Sequence, residues 1–187
     1  MRGLKDGMAL IAQTAIAGGN VKIVNHWAYN PNSWGRTGES DDFLIRSATQ
    51  SSSGILEHHI EEVVKLRAHH DDKGEALDGS KGRYVLRFGP GQIPSAKAFW
   101  SVTVYNSEYN LFGNPLRRFS YGSVDKGLKY DADGGVTFRL QADAPGKAQK
   151  GNWFPTPRGP FKLFLRAYLP GEALIKQDYV PPAVERL

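Results

Sequence analysis

The sequence predicts an α+β fold, with N-terminal helices packed on a C-terminal antiparallel β-sandwich or jelly roll. Three observations carry this reading. Apolar residues between positions 3 and 68 recur at helical spacing, those beyond position 80 alternate along short runs, and turn formers are abundant, with 21 glycines and 11 prolines in the chain. Short strands joined by long irregular connections favour a sandwich over a parallel sheet. A length of 187 residues suits a single domain over 1–187, with a mainly helical section over 1–79 and a β-sandwich section over 80–187.

Leu4, Met8, Ile11, Ala15 and Ile16 place a helix over 3–17, ended by Gly18 and Gly19. After the apolar run Val21 to Val24, residues 27–38 are rich in Asn, Pro, Ser and Gly and read as an ordered loop holding Trp27 and Trp34. Ser40 reads as a helix cap, with Asp41 and Asp42 in the first turn and Phe43, Leu44 and Ala48 on the apolar side. Gly54 separates this helix from a second over 55–68, patterned by Ile55, His59, Glu62 and Val63. From Asp71 turn chemistry takes over, and strands are expected at Tyr84–Phe88, Phe99–Tyr105, Phe119–Tyr121, Val136–Gln141 and Phe161–Tyr168. On the last, Phe161, Leu163, Leu165 and Ala167 share one face, and Lys162, Phe164, Arg166 and Tyr168 the other.

Composition excludes whole classes of chemistry. The chain has no cysteine, which removes disulfides, thiolate nucleophiles, iron–sulfur clusters and cysteine zinc sites. Its net charge of +5 is unevenly placed: residues 1–80 carry 8 basic and 11 acidic side chains, and residues 81–187 carry 16 and 8. Opposite signs allow the two parts to dock on each other, and without a concentrated basic stripe nucleic acid is not an expected partner. The uncharged stretch Gly7 to Val21 is too short and polar for a membrane span. Arg2, Lys5 and Ala15-Ile16-Ala17 imitate a signal peptide, but Asp6 and a weak apolar core count against cleavage, so the compartment stays open.

Four ordered motifs carry a resemblance. Phe99 to Asn106 (FWSVTVYN), Asn114-Pro115 with Arg118-Phe119, Asp133 to Thr137 (DGGVT), and Asn152 to Phe161 (NWFPTPRGPF) followed by Leu165 to Tyr168 resemble the family called domain of unknown function 1214. Gly35-Arg36 and Phe43 to Arg46 are similar to its N-terminal helical part. The resemblance implies a jelly-roll sandwich, often carried behind a second domain, so a protein carrying that companion domain is an expected partner. The family implies no reaction.

Three constellations are candidate sites. His58, His59, His69 and His70, with Glu61, Glu62, Asp71 and Asp72, offer metal-type donors, yet no HExxH-like motif organises them, and neither a metal ligand set nor a cofactor is assigned. The mid-strand arginines Arg87, Arg139 and Arg166, edged by Lys162 and Tyr168, are expected on one surface, where guanidinium forks suit carboxylate, sulfate or phosphate. Trp100, Tyr105, Asn114, Arg118, Asn152 and Trp153 combine rings with amide and guanidinium donors, as a glycan-like or small amphipathic ligand requires, or else anchor the ends of the sandwich. The ligand-binding set is therefore Trp100, Tyr105, Asn114, Arg118, Arg139, Asn152, Trp153 and Arg166. No nucleophile elbow, P-loop or dinucleotide fingerprint is present, and no catalytic residue is assigned. The leading function class is a non-catalytic module binding a small anionic or glycan-like ligand or a partner. The alternatives are an enzyme with an unmarked polar pocket, metal-assisted through the histidines, and a structural subunit of a larger assembly.

Overall fold

A computed structural model of the protein describes residues 2–17, 21–36, 39, 41–52, 57–146 and 150–187. Its helices are α1 (Arg2–Ala17), α2 (Phe43–Ser52) and the single turn α3 (Glu172–Ile175), with a 3-10 turn over Asn32–Arg36. Its strands are β1 (Ile23–Val24), β2 (Trp27–Tyr29), β3 (Val63–Ala68), β4 (Tyr84–Phe88), β5 (Ala96–Asn106), β6 (Ser120–Gly122), β7 (Val136–Gln141), β8 (Trp153–Pro155), β9 (Phe161–Pro170) and β10 (Val184–Arg186). They form a six-stranded antiparallel sheet, β1-β2-β3-β9-β5-β6, and a four-stranded sheet, β10-β4-β7-β8, in which only β7 and β8 run parallel. The α+β class therefore holds.

Alternation decides which face of each strand is wet. Phe161, Leu163, Leu165 and Ala167 of β9 are buried, as are Val136, Phe138 and Leu140 of β7 and Leu86 and Phe88 of β4. These inward faces meet in one core, where the Trp100 ring of β5 lies 5.5 Å from Phe88 and 6.3 Å from Phe138. Burying period-two apolar faces from both sheets leaves the intervening residues on the outer faces.

The helix expected over 55–68 is not formed at its C-terminal end: residues 63–68 are β3, hydrogen-bonded between β2 and β9. Val63, Val64, Leu66 and Ala68 are buried there, and the β-branched pair suits an extended chain, so the tertiary slot overrides the weak helical pattern. Ile55 and Gly54 lie outside the described residues. Likewise Trp27–Tyr29, expected in a loop, is a strand, because Trp27 buries its ring and donates its indole N–H to the Pro182 carbonyl at 2.8 Å. The cap of α2 is Asp42, whose Oδ1 accepts the Ile45 N–H at 2.8 Å; Ser40, and the Gly18-Gly19 end of α1, fall outside the described residues. No described helix is long and apolar enough to cross a membrane.

Candidate anion-binding face

The outer face of the six-stranded sheet is a grid of cations and rings. Pairing sets Lys65 of β3 opposite Arg166 of β9, and Arg67 opposite Phe164. On the other flank Arg166, Phe164 and Lys162 face Ser101, Thr103 and Tyr105 of β5. Continuing the β3 register by one residue brings His69 beside Lys162, and Ala28 of β2 and Ile23 of β1 extend the Arg67 row to the sheet edge. Directly opposed residues stand about 5 Å apart at Cβ, so these charges share one field.

Most of the cations are already engaged. Lys65 holds Glu57 at 2.6 Å, and both side chains are largely buried. Arg166 donates to Thr103 Oγ1 at 3.1 Å and to Tyr105 Oη at 3.2 Å. Lys162 donates to the Ser107 carbonyl at 2.8 Å and sits 3.4 Å above the Tyr109 ring. Among the described residues none of Arg67, Arg166 and Lys162 has a carboxylate partner.

Arg67 stands apart from them. Among the described residues its Nε is buried without an acceptor and the neighbouring His69 Nε2 without a partner, and its guanidinium lies 5.6 Å from the Trp34 ring. Both residues line a cleft of about 280 Å³, together with Ile23, His26, Ala28 and His70. His26 enters it through the two-residue β1–β2 turn, where Asn25 and His26 both hold positive φ, at 48° and 63°. The second such position ordinarily favours glycine. Here the chain places an imidazole.

Burial, and then the charges of Lys162, Arg67 and His70, push the His69 pKa down to about 4. The unfolded chain, with His near its ordinary value of about 6.5, therefore takes up this proton first on acidification. The His69 contribution to stability is complete above that value and is lost as pH falls towards about 4. Comparing urea midpoints at pH about 7.5 and about 4.5 should show a smaller acid loss in His69→Gln than in the parent. Equal losses would remove His69 as a source.

The residues singled out from sequence fall into four places. Tyr105 and Arg166 lie together on the grid. Asn114, Arg118, Asn152 and Trp153 form a second group that is spent on the backbone: Asn114 exchanges two 3.0 Å hydrogen bonds with Arg118, and Arg118 donates to the Trp153 carbonyl while its guanidinium lies 3.9 Å from the Tyr121 ring. Asn152 bridges both backbone groups of Lys129, and the Trp153 indole N–H donates to the Gln141 carbonyl at 2.9 Å. Trp100 is in the core; with Trp100 and Trp153 exposed by only 4% and 5%, neither indole offers a stacking face. Arg139 lies apart on β7.

The expected row of Arg87, Arg139 and Arg166 is thus divided between the sheets. Arg87 and Arg139 belong to β4 and β7 of the four-stranded sheet, where Arg87 pairs with Asp131 and Asp133. Equal alternation on two facing sheets sends their wet faces in opposite directions. The helix that would have set His58 over Glu61 and Glu62 is absent; His59 Nδ1 instead accepts the Glu61 N–H at 3.4 Å, and Asp71 Oδ1 accepts the N–H groups of Lys73 and Glu75. Among the described residues no three His, Asp or Glu side chains converge as metal ligands do. Sequence reading missed Arg67 and His26, although Lys65, Arg67 and His69 alternating with Val64, Leu66 and Ala68 is a strand signal.

Related proteins fix the lineage rather than the chemistry. The crystal structure of the VPA0106 protein from Vibrio parahaemolyticus matches with a TM-score of 0.70 and 27% identity over 99% of this chain and 43% of that one. The chain therefore spans less than half the length of that protein. An uncharacterised protein from Burkholderia cenocepacia aligns with 16% identity over 67% of this chain and 29% of its own, at a TM-score of 0.37. No curated protein matches significantly. Residues 62–172, from β3 through β9 to the start of α3, match the family described as Protein of unknown function (DUF1214), and the chain belongs to that family.

Proposed function

We propose that this protein is a non-catalytic binding module that holds a small anion on the outer face of its six-stranded sheet, the two sheets forming a jelly-roll sandwich. The observation that carries the reading is Arg67, which lines the cleft beside His69 and whose Nε, like His69 Nε2, is buried without a hydrogen-bond partner among the described residues. Leaving a buried donor unpaired costs about 1–3 kcal/mol, more when charged, and an anion in the cleft removes that cost while Arg166 and Lys162 add to the field. Because both candidate indoles are packed away, the chemistry favours an anion over a glycan. Arg67→Gln removes the charge and the fork while leaving the buried side of β3 intact. In a thermal-shift series with acetate, sulfate and inorganic phosphate, the parent should gain Tm with at least one anion and Arg67→Gln with none. Equal gains in both would overturn the reading.

A second reading, a structural subunit, is favoured by the apolar surface of the helical pair: Leu4, Met8 and Leu10 of α1 and Phe43 of α2 are all exposed. Its occupant is a companion polypeptide with a matching apolar surface. Without that companion, the chain should self-associate, its mass in sedimentation rising with concentration and falling back in a Leu4→Gln, Met8→Gln variant. A monomer at all concentrations would remove this reading.

A further inference from the structure

We infer that the cleft between β1, β2 and β3 takes a small monocarboxylate with a flat apolar body, its carboxylate on Arg67 and its body against Ile23 and Ala28. This rests on the anion-binding reading and names the ligand class for the same site. Lys65 is matched by Glu57, Arg166 spends donors on Thr103 and Tyr105, and Lys162 is held by the Ser107 carbonyl and the Tyr109 ring. Among the described residues Arg67 Nε is buried without an acceptor, and arginine keeps its proton throughout the ordinary pH range. His69 is neutral near pH 7, its proton disfavoured by burial and by Lys162, Arg67 and His70. Arg67 lines the cleft whereas Arg166 and Lys162 do not, and its planar guanidinium fork suits the two oxygens of a carboxylate.

Size and lining give the rest of the ligand. One water needs about 10–15 Å³ of such space, against about 280 Å³ here, so an inorganic ion leaves most of the cleft unfilled. Beyond Arg67 the walls are the Ile23 and Ala28 side chains and the imidazoles of His26, His69 and His70. Ile23 is 66% exposed at the open lip, an apolar surface that a ring would cover. Imidazole rings present flat faces as well as polar edges, which suits a planar body better than a branched polar one. His26 also borders Gly74, whose added Cβ would lie 3.6 Å from His26 Cε1, so the ring is backed on one side by the turn after β3.

The test is titration calorimetry at neutral pH with benzoate, acetate, inorganic phosphate and the neutral benzyl alcohol, on the parent, Arg67→Gln and Ile23→Ser. Benzoate should bind about tenfold more tightly than acetate, since partial burial of a ring supplies that factor. Ile23→Ser should reduce the benzoate advantage and leave acetate unchanged, and Arg67→Gln should abolish both. Circular dichroism would confirm that each variant is folded. If phosphate binds through Arg67 and benzoate is no tighter than acetate, the ligand class is wrong and the anion-binding reading stands. If no anion binds, or if Arg67→Gln binds all of them like the parent, both fall. Binding of benzyl alcohol as tight as benzoate would also overturn the assignment, because the carboxylate would then contribute nothing.

Discussion

Phe138→Ala is expected to cost about 3–5 kcal/mol of folding stability and, for a chain of this size, to lower Tm by about 6–20 °C. Phe138 is fully buried on β7, and its ring lies 6.2 Å from Phe88, 6.3 Å from Trp100, 5.8 Å from Tyr121 and 6.2 Å from Phe154. Trp100 and Tyr121 belong to the six-stranded sheet, Phe88 and Phe154 to the four-stranded one, so this ring joins the two inner faces. Truncation removes the transfer free energy of the ring and leaves a cavity that four other rings cannot all close at once. Phe138→Leu should cost less, since it keeps most of the volume. Chemical denaturation of both variants checks the ordering, and an alanine loss below about 1 kcal/mol would mean that the sheets do not meet around this residue.

Gly122→Ala is the second large expected effect, with a loss of about 1–3 kcal/mol or somewhat more from a single methyl group. A Cβ at Gly122 would lie 2.0 Å from the Trp100 carbonyl oxygen and 2.6 Å from Ser101 Cα. Both obstacles are backbone, so no rotamer change relieves them, and β6 must move away from β5. That motion breaks the pairing of Ser101 with Gly122 and the 2.8 Å bond from the Gly122 N–H to Asp125 Oδ2. Gly91→Ala is the useful contrast: its added Cβ meets nothing within 4 Å, although its φ of +76° still carries local strain. A Gly122 variant as stable as the parent would show that β6 is not held against β5 as described.

How much of this was legible in the sequence depends on the kind of signal. Tyr84–Phe88 and Val136–Gln141 were readable to the residue because each alternates cleanly and is bounded by turn formers. β9 was readable over Phe161–Tyr168, including its inward set Phe161, Leu163, Leu165 and Ala167, but it runs on to Pro170, which is also buried. β1, β2, β8 and β10 span only two or three residues each, and such segments carry no period; they become strands because a neighbour offers unpaired backbone groups. β3 was hidden by a real ambiguity, since His59, Glu62 and Val63 fit a helix until Val64, Leu66 and Ala68 find a slot between β2 and β9.

The candidate site was legible only in part. Arg166 and Tyr105 could be named because their strands were right, whereas Arg67 was lost with the strand that carries it. Asn114, Arg118, Asn152 and Trp153 were recognisable as a set, but their hydrogen bonds run to carbonyls of distant residues such as Gln141 and Lys129, a use of donors that spacing does not reveal. Dividing Arg87 and Arg139 from Arg166 required knowing which strands share a sheet. Strand period gives the face within a sheet, not the sheet itself.

The most direct test of the account is to follow the arginine Nε–H resonances of the isotopically labelled chain by NMR while acetate is added, assigning the Arg67 signal by its absence in Arg67→Lys. Because Arg67 Nε is buried without an acceptor, its resonance should move in a saturable way towards a hydrogen-bonded position, with those of Arg139 and Arg118 unchanged. An Arg67 resonance that stays in place at saturating acetate, or one that moves no more than the Arg139 resonance on the opposite sheet, would contradict an anion site on this face.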